Sequence, residues 1–194
     1  MSHYAIVVDL DRCIGCHGCE IACKNENNIA LGEYWNKVVQ VGPFGDYPHL
    51  HQYFLPVMCQ QCDDSPCTHV CPTGASYRDE NNVVLVDKEK CIGCKYCMMA
   101  CPYGVRSWSP SEHVVEKCTL CGQLTSVGEE PKCVAACCAS ARFYGDLDDP
   151  NSDASKALAA AGADSVHRLK DVGNGPQTAY ILSAKYAEWK EEVK

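Results

Sequence analysis

Phe and Trp are scarce in this 194-residue chain, which holds only three of each. Long apolar runs are missing too. The longest are Tyr4–Val8, Val83–Val86 and the Ala-rich stretch 157–163, far short of the ~18 residues that cross a bilayer. No membrane-spanning helix is expected. The first residues, Met1-Ser2-His3-Tyr4-Ala5-Ile6, place no basic stretch ahead of an apolar one, and no Arg-Arg pair occurs. Neither a cleavable secretory signal nor a twin-arginine signal is therefore expected. Positive charge is also short: 17 Lys and Arg face 25 Asp and Glu, for a formal net charge of −8. That balance argues against nucleic acid as a partner, because phosphate binding needs a clustered basic surface. The excess lies in cysteine, with 17 residues. Such a density means a disulfide scaffold or a metal protein.

Spacing separates the two. Cys13, Cys16, Cys19 and Cys23 form a C-x2-C-x2-C-x3-C run, and Cys91, Cys94, Cys97 and Cys101 repeat it with Pro102 after the last cysteine. Cys59, Cys62, Cys67 and Cys71 widen one gap to x4 and close with Pro72. Cys118, Cys121, Cys133 and Cys137 read C-x2-C-x11-C-x3-C, which leaves Cys138 over. The third run matches the bacterial ferredoxin pattern, in which three cysteines wrap one cubane cluster and the fourth ligates its neighbour. Proline after that fourth cysteine suits a first helical turn, where its missing N–H costs nothing. Gly15 and Gly93 give the loop backbone room to approach a cluster. Disulfides would need an oxidising compartment and a geometry that closely packed C-x2-C pairs do not offer. Structural zinc suits the fourth tetrad taken alone, but three ferredoxin-type runs beside it point the whole chain to iron–sulfur clusters.

The chain also repeats itself. Val8-Asp9-Leu10-Asp11-Arg12-Cys13-Ile14-Gly15-Cys16 aligns with Val86-Asp87-Lys88-Glu89-Lys90-Cys91-Ile92-Gly93-Cys94, each copy led by a short apolar strand (4–8 and 83–86). Residues 79–82 read as a hairpin turn. Residues 59–103 are thus laid out as a two-cluster ferredoxin, and by elimination the first and fourth tetrads pair as a second unit split around it. The fold expected is α+β: two interleaved bacterial-ferredoxin-like units with a β-rich insertion and a C-terminal tail. The outer unit takes residues 1–23 and 104–140, the insertion 24–58, the inner unit 59–103 and the tail 141–194. Within these, 48–56 should form a strand, 125–132 a polar loop, 154–161 a helix, 178–182 a strand and 184–193 a helix. Gly173-Asn174-Gly175-Pro176 reads as a turn; no helix follows it, so it is not a nucleotide loop.

The cysteine pattern resembles the four-cluster iron–sulfur subunits of the dimethyl sulfoxide reductase superfamily of molybdopterin enzymes, including polysulfide, tetrathionate and arsenate reductases and the transhydroxylase small subunit. Cys71-Pro72-Thr73-Gly74-Ala75, Cys101-Pro102-Tyr103-Gly104-Val105, Lys117-Cys118-Thr119-Leu120-Cys121 and Gly145-Asp146-Leu147-Asp148-Asp149-Pro150 carry the likeness over nearly the whole chain. The resemblance implies four 4Fe–4S clusters: one on Cys13, Cys16, Cys19 and Cys137; a second on Cys23, Cys118, Cys121 and Cys133; a third on Cys59, Cys62, Cys67 and Cys101; a fourth on Cys71, Cys91, Cys94 and Cys97. It implies a wire running from a large molybdopterin (molybdenum or tungsten) catalytic subunit, nearest the first cluster, toward a membrane quinone-site subunit or another redox partner. Where the family usually has proline after the last ligand this chain has Cys138, which puts the identity of that ligand in doubt. The resemblance also implies a soluble or peripheral protein held at a membrane through partners, with export alongside a signal-bearing catalytic subunit favoured over a cytoplasmic home.

Closed clusters offer no open coordination site, and no nucleophile or base constellation is evident, so the chain reads as an electron-transfer subunit without catalysis of its own. The same wire could serve a hydrogenase or a formate-oxidising complex, and a zinc-stabilised interaction protein is the remaining class. Beside the tetrads, His17, Lys24, Lys90, Lys95, Lys117 and Lys132 are either potential-raising charges or ordinary surface charge. Tyr103 and Trp108 are core or cluster shields. His49 and His51 read as strand residues rather than metal ligands. Cys138, freed from iron, is expected to pack as a small buried hydrophobe.

Overall fold

The computed structural model describes residues 2–185 and 187–190. Its elements, in chain order, are β1 (Tyr4–Asp9), α1 (Gly18–Asn27), β2 (Asn36–Phe44), β3 (His51–Met58), α2 (Pro66–His69), β4 (Ser76–Arg78), β5 (Val84–Val86) and α3 (Tyr96–Ala100). There follow β6 (Ser107–Ser109), β7 (Val114–Glu116), α4 (Gly122–Thr125), α5 (Lys132–Ala135), β8 (Arg142–Asp146), α6 (Asp153–Ala161), β9 (Val166–His167) and β10 (Ala179–Ile181). Short helices and short strands alternate, a mixed α+β arrangement.

The apolar run at the start of the chain becomes the middle of the structure. Ala5 to Val8 are wholly buried, because β1 sits inside the four-stranded sheet β8-β1-β10-β9. It pairs antiparallel with β8 (Tyr4 opposite Asp146, Val8 opposite Arg142) and parallel with β10 (Val7 opposite Ala179). A strand covered on both faces reads as an unbroken hydrophobic run. Its side chains still alternate. Ile6 and Val8 face the larger core with Leu55, Met58, Tyr180 and several cysteines. Val7 faces α6 through Ala154, Ala157 and Leu158. Helix α6 starts where the Ser152 hydroxyl accepts the Ser155 N–H at 3.1 Å, an ordinary N-cap.

The insertion is a β2–β3 hairpin, with Asn36 opposite Met58 and Val39 opposite Leu55. The strand expected at 48–56 starts later, at His51, and runs on to Met58. Buried Glu20 ties the hairpin to α1 by accepting the Val38 N–H. Helix α1 runs across residues 23 and 24, so the hairpin continues from a helix that carries two cysteines. Residues 79–82 do turn between β4 and β5. The tail from 141 onward is no appendage, since β8 and β10 flank β1 on either side. The helix expected at 184–193 is not formed by its described part: 184–185 turn and 187–190 are irregular, while 186 and 191–193 lie outside the described residues. Packing outweighs helical preference there. Trp189 stacks on His167 at 5.0 Å between ring centres and on Tyr53 at 6.3 Å, and the Lys190 N–H donates to the Tyr53 hydroxyl at 3.0 Å. No helix among the described residues is long and apolar enough to cross a membrane.

Candidate functional site

In all four tetrads the residue just before the second cysteine is left-handed: Gly15 (φ 65°), Gln61 (φ 47°), Gly93 (φ 69°) and Leu120 (φ 55°). A left-handed residue among right-handed ones turns successive N–H groups toward one point, a concavity suited to an anion. Two of the four positions use glycine. At Gln61 and Leu120 a side chain is held in a conformation that L-residues disfavour by ~1–2 kcal/mol. In the first and third runs a second left-handed residue, His17 (φ 59°) or Lys95 (φ 64°), starts the following helix. The sequence repeat is thus a backbone repeat. Each glycine loop is also roofed by an aromatic ring. A Cβ on Gly15 would lie 2.4 Å from the Phe54 ring, and one on Gly93 would lie 2.8 Å from both Trp108 and the His113 carbonyl.

The thiols gather as groups drawn from distant parts of the chain. Cys13 faces Cys19 and Cys137. Cys23, on α1, faces Cys118, Cys133 and Cys121, and burial followed by these neighbours pushes its thiol well above the ordinary range. Burial raises Cys62 to about 12, with Cys59, Cys101 and Cys67 adding to it. Cys71, Cys91, Cys94 and Cys97 line one cavity with Thr73, Ser76 and Val115. The groups lie within electrostatic reach of one another in series: Cys133 senses Cys19, Cys118 senses Cys59, and Cys97 senses Cys67. Four thiols cannot ionise together while buried against one another; a positively charged iron core removes that cost, and thiolates are what iron binds.

Donors already aim at sulfur. The Ser76 N–H points at Cys71 Sγ and the Ala141 N–H at Cys137 Sγ, each at 3.3 Å. Slight burial opposes ionisation of Cys71, but the bonds from Ser76 and Thr73 outweigh it and hold the thiol below its usual range. Asn174 is 1% exposed, and its amide donates to Cys62 Sγ and to the Tyr103 hydroxyl, both at 2.9 Å. The turn at 173–176 thus reaches a thiol of the second tetrad. The Asp171 carboxylate accepts the N–H groups of Gly173, Asn174 and Gly175, and so aims the amide. Left-handed loops, converging thiols and N–H donors to sulfur all fit an anionic iron–sulfur cluster.

Exposure runs in a pattern. Cys23, Cys118, Cys121 and Cys133 are buried, as are Cys59, Cys62 and Cys67, with Cys101 partly so. Cys16 and Cys94 are exposed and Cys13, Cys71, Cys91 and Cys137 partly so, while Cys19 and Cys97 are buried. Beside the two exposed thiols stand Ile14 and Ile92, 63% and 65% exposed, at matching positions of the repeat.

Two family models described as "4Fe-4S dicluster domain" match the chain, over residues 50–147 and 12–75. A sulfite dehydrogenase subunit of Allochromatium vinosum is 39% identical, over 95% of this chain and 85% of its own. The arsenate respiratory reductase iron-sulfur subunit ArrB of Shewanella sp. is 35% identical, over 92% and 95%. The thiosulfate reductase electron transfer subunit PhsB of Salmonella typhi is 37% identical, over 97% of both chains. The chain belongs to the iron–sulfur electron-transfer subunits of the dimethyl sulfoxide reductase superfamily. This iron–sulfur subunit carries four 4Fe–4S clusters.

The charges flanking the tetrads of the iron–sulfur subunit have separate fates. Lys24 donates to the carbonyls of Ala30 and Glu33, Lys90 pairs with Asp87 at 2.8 Å, Lys95 lies 4.2 Å over the Trp108 ring, and His17 meets Glu20 at 3.1 Å. Lys132 is exposed. Lys117 alone of this set is buried. Tyr103 and Trp108 are partly buried, the first bonded to Asn174 and the second roofing the Gly93 loop. His49 and His51 are exposed. Cys138 is exposed rather than packed, with its Sγ 3.7 Å from Cys16 Sγ. It lies within a tight turn in which the Ser140 N–H reaches back to the Cys137 carbonyl, so its side chain is thrown outward. Sequence reasoning missed Arg106, Arg142 and Asn174, which no spacing rule marks.

Proposed function

We propose that the chain is a four-cluster wire between a molybdopterin catalytic subunit, containing molybdenum or tungsten, and a quinone-site subunit or other redox partner. In this reading cluster 1 is held by Cys13, Cys16, Cys19 and Cys137, and cluster 2 by Cys23, Cys118, Cys121 and Cys133. Cluster 3 is held by Cys59, Cys62, Cys67 and Cys101, and cluster 4 by Cys71, Cys91, Cys94 and Cys97. Clusters 1 and 2 make an outer ferredoxin-like unit (1–23 and 104–140), clusters 3 and 4 an inner one (59–103), joined by the insertion 24–58 and the tail 141–194.

One observation carries this reading: thiol groups within electrostatic reach of one another in series, with mostly buried thiols in the middle and the exposed ones at the two ends. Interior clusters shielded from water pass electrons without losing them, and exposed terminal clusters exchange them with partners. Ile14 and Ile92 give each end an apolar contact for a docked protein. Fully thiolate-ligated clusters supply one-electron relay and no substrate site. The protein's part is to hold them in order, exclude water and set their potentials. We assign the cluster 1 end to the catalytic subunit, and any membrane attachment and export to the partners.

Purification of the native complex tests the partner. A large co-purifying subunit with stoichiometric molybdenum or tungsten is expected, and this chain alone should accept electrons from a strong reductant yet turn over nothing. A native complex lacking both metals, or a competent single subunit, contradicts the proposal.

A further inference from the structure

Among the described residues the buried cationic side chains are Arg106, Lys117 and Arg142, at 5%, 2% and 4% exposure. A buried charge is costly unless an opposite charge meets it. Apart from cysteine thiols, the bonds these three make are to neutral groups. Arg106 donates to Ser76 Oγ at 2.7 Å, and Lys117 to the carbonyls of Val84 and Cys118. Arg142 donates to Asn36 Oδ1 at 3.4 Å and Met58 Sδ at 2.9 Å. Arg106 Nη1 and Arg142 Nε are buried with no acceptor at all. The buried carboxylate among the described residues, Glu20, lies elsewhere, on His17 and the Val38 N–H.

What surrounds the cations is sulfur, and the sulfur belongs to two groups at a time. Arg142 lies near Cys133 and Cys19, and near Cys118 beyond Tyr180. Arg106 hydrogen-bonds Cys67 and Cys97, one thiol from each of two groups, and lies near Cys59. Lys117 adjoins Cys118, the thiol that itself faces Cys59. On the carbonyl side Lys117 holds Val84, whose own N–H is accepted by Gln61 of the second tetrad's loop at 2.9 Å.

We propose that these cations are built-in counter-charges, one at each junction of the wire: Arg142 between clusters 1 and 2, Lys117 between clusters 2 and 3, and Arg106 between clusters 3 and 4. The inference rests on the cluster assignment above. A cluster gains negative charge on reduction, so a fixed cation beside it stabilises the reduced form and raises its potential. A cation shared by two clusters moves both together, which keeps the step between them level.

The test is an EPR-monitored redox titration of the native complex, with iron counted in each preparation. Arg142→Met keeps the volume and removes the charge; it should lower the midpoint potentials of two clusters, those perturbed by Cys19→Ser and Cys133→Ser, and leave the other two. Arg106→Met should lower the other pair. Arg142→Lys should restore most of the shift. Unchanged potentials in an Arg142→Met complex with full iron would overturn the proposal, as would shifts in the wrong pair. If Arg142→Met assembles without its clusters, Arg142→Lys must recover them; failure to do so overturns it as well. The cluster assignment fails separately, if Cys19→Ser and Cys133→Ser perturb the same cluster.

Discussion

Replacing Asn174 by Leu removes one hydrogen bond from a cluster ligand, together with those to the Tyr103 hydroxyl and from the Val172 N–H. The amide N–H lies 2.9 Å from Cys62 Sγ in a site 1% exposed, where no water can take its place. Hydrogen bonds to charged groups are worth ~1.5–3 kcal/mol. The bond persists in both oxidation states and is stronger on the more negative reduced sulfur. If a third to a half of its strength is differential, roughly 1 kcal/mol of stabilisation of the reduced form is lost. One electron at ~59 mV per tenfold in equilibrium constant makes that a fall of about 40 mV in the potential of cluster 3. Tyr103→Phe is the control. It removes the other acceptor of the same amide, at 2.9 Å, while leaving the bond to sulfur, so its shift should be much smaller. Redox titration followed by EPR, with iron counted in both variants, reads the difference. An Asn174→Leu protein with full iron and an unchanged or raised potential would refute the claim that this amide tunes the cluster.

Gly93→Ala should lose or cripple one cluster, because φ is +69° and the new Cβ would lie 2.8 Å from the His113 carbonyl and the Trp108 ring. Gly104→Ala, at φ +60° with open space around it, should keep all its iron and cost only ~1 kcal/mol in a thermal melt. Cys137→Ala should damage cluster 1, whereas Cys138→Ala should retain full iron; the reverse pattern in iron content would make Cys138 the ligand. Iron-stripped protein under reducing conditions should show no cooperative melt by circular dichroism, since the loops lose the iron that ties them together and three buried cations are left without their counter-charge. A native-like transition in that apo protein would contradict this.

The parts of the site legible in the sequence are those built by local chemistry. Two-residue gaps between cysteines, Gly15 and Gly93, and the aligned approaches to Cys13 and Cys91 are contained within a few residues, so spacing alone reveals the loops. Gln61 and Leu120 occupy the same left-handed position without being glycine; only comparison with the glycine runs would have suggested it. Arg106 and Arg142 show no signal because their meaning comes from burial against cysteines distant in the chain. Asn174 was hidden differently: its turn was readable, but its aim at Cys62 depends on a contact across 112 positions. The described part of the 184–193 stretch misled because its residues favour a helix, while Trp189 is captured by Tyr53, His167 and Tyr180. The tail's strand 179–181 was visible as an apolar run, whereas 142–146, bounded by Arg142 and Asp146, was not, and their place on either side of β1 is a property of the whole chain.

Quantitation of iron and acid-labile sulfide, with EPR spin integration of the fully reduced protein under strict anaerobiosis, tests the central claim most directly. Four complete tetrads, each holding a four-iron cluster, predict roughly sixteen iron and sixteen sulfide per chain and about four spins. Stoichiometric zinc, a three-iron signal in protein as isolated, or a spin count near three would contradict it.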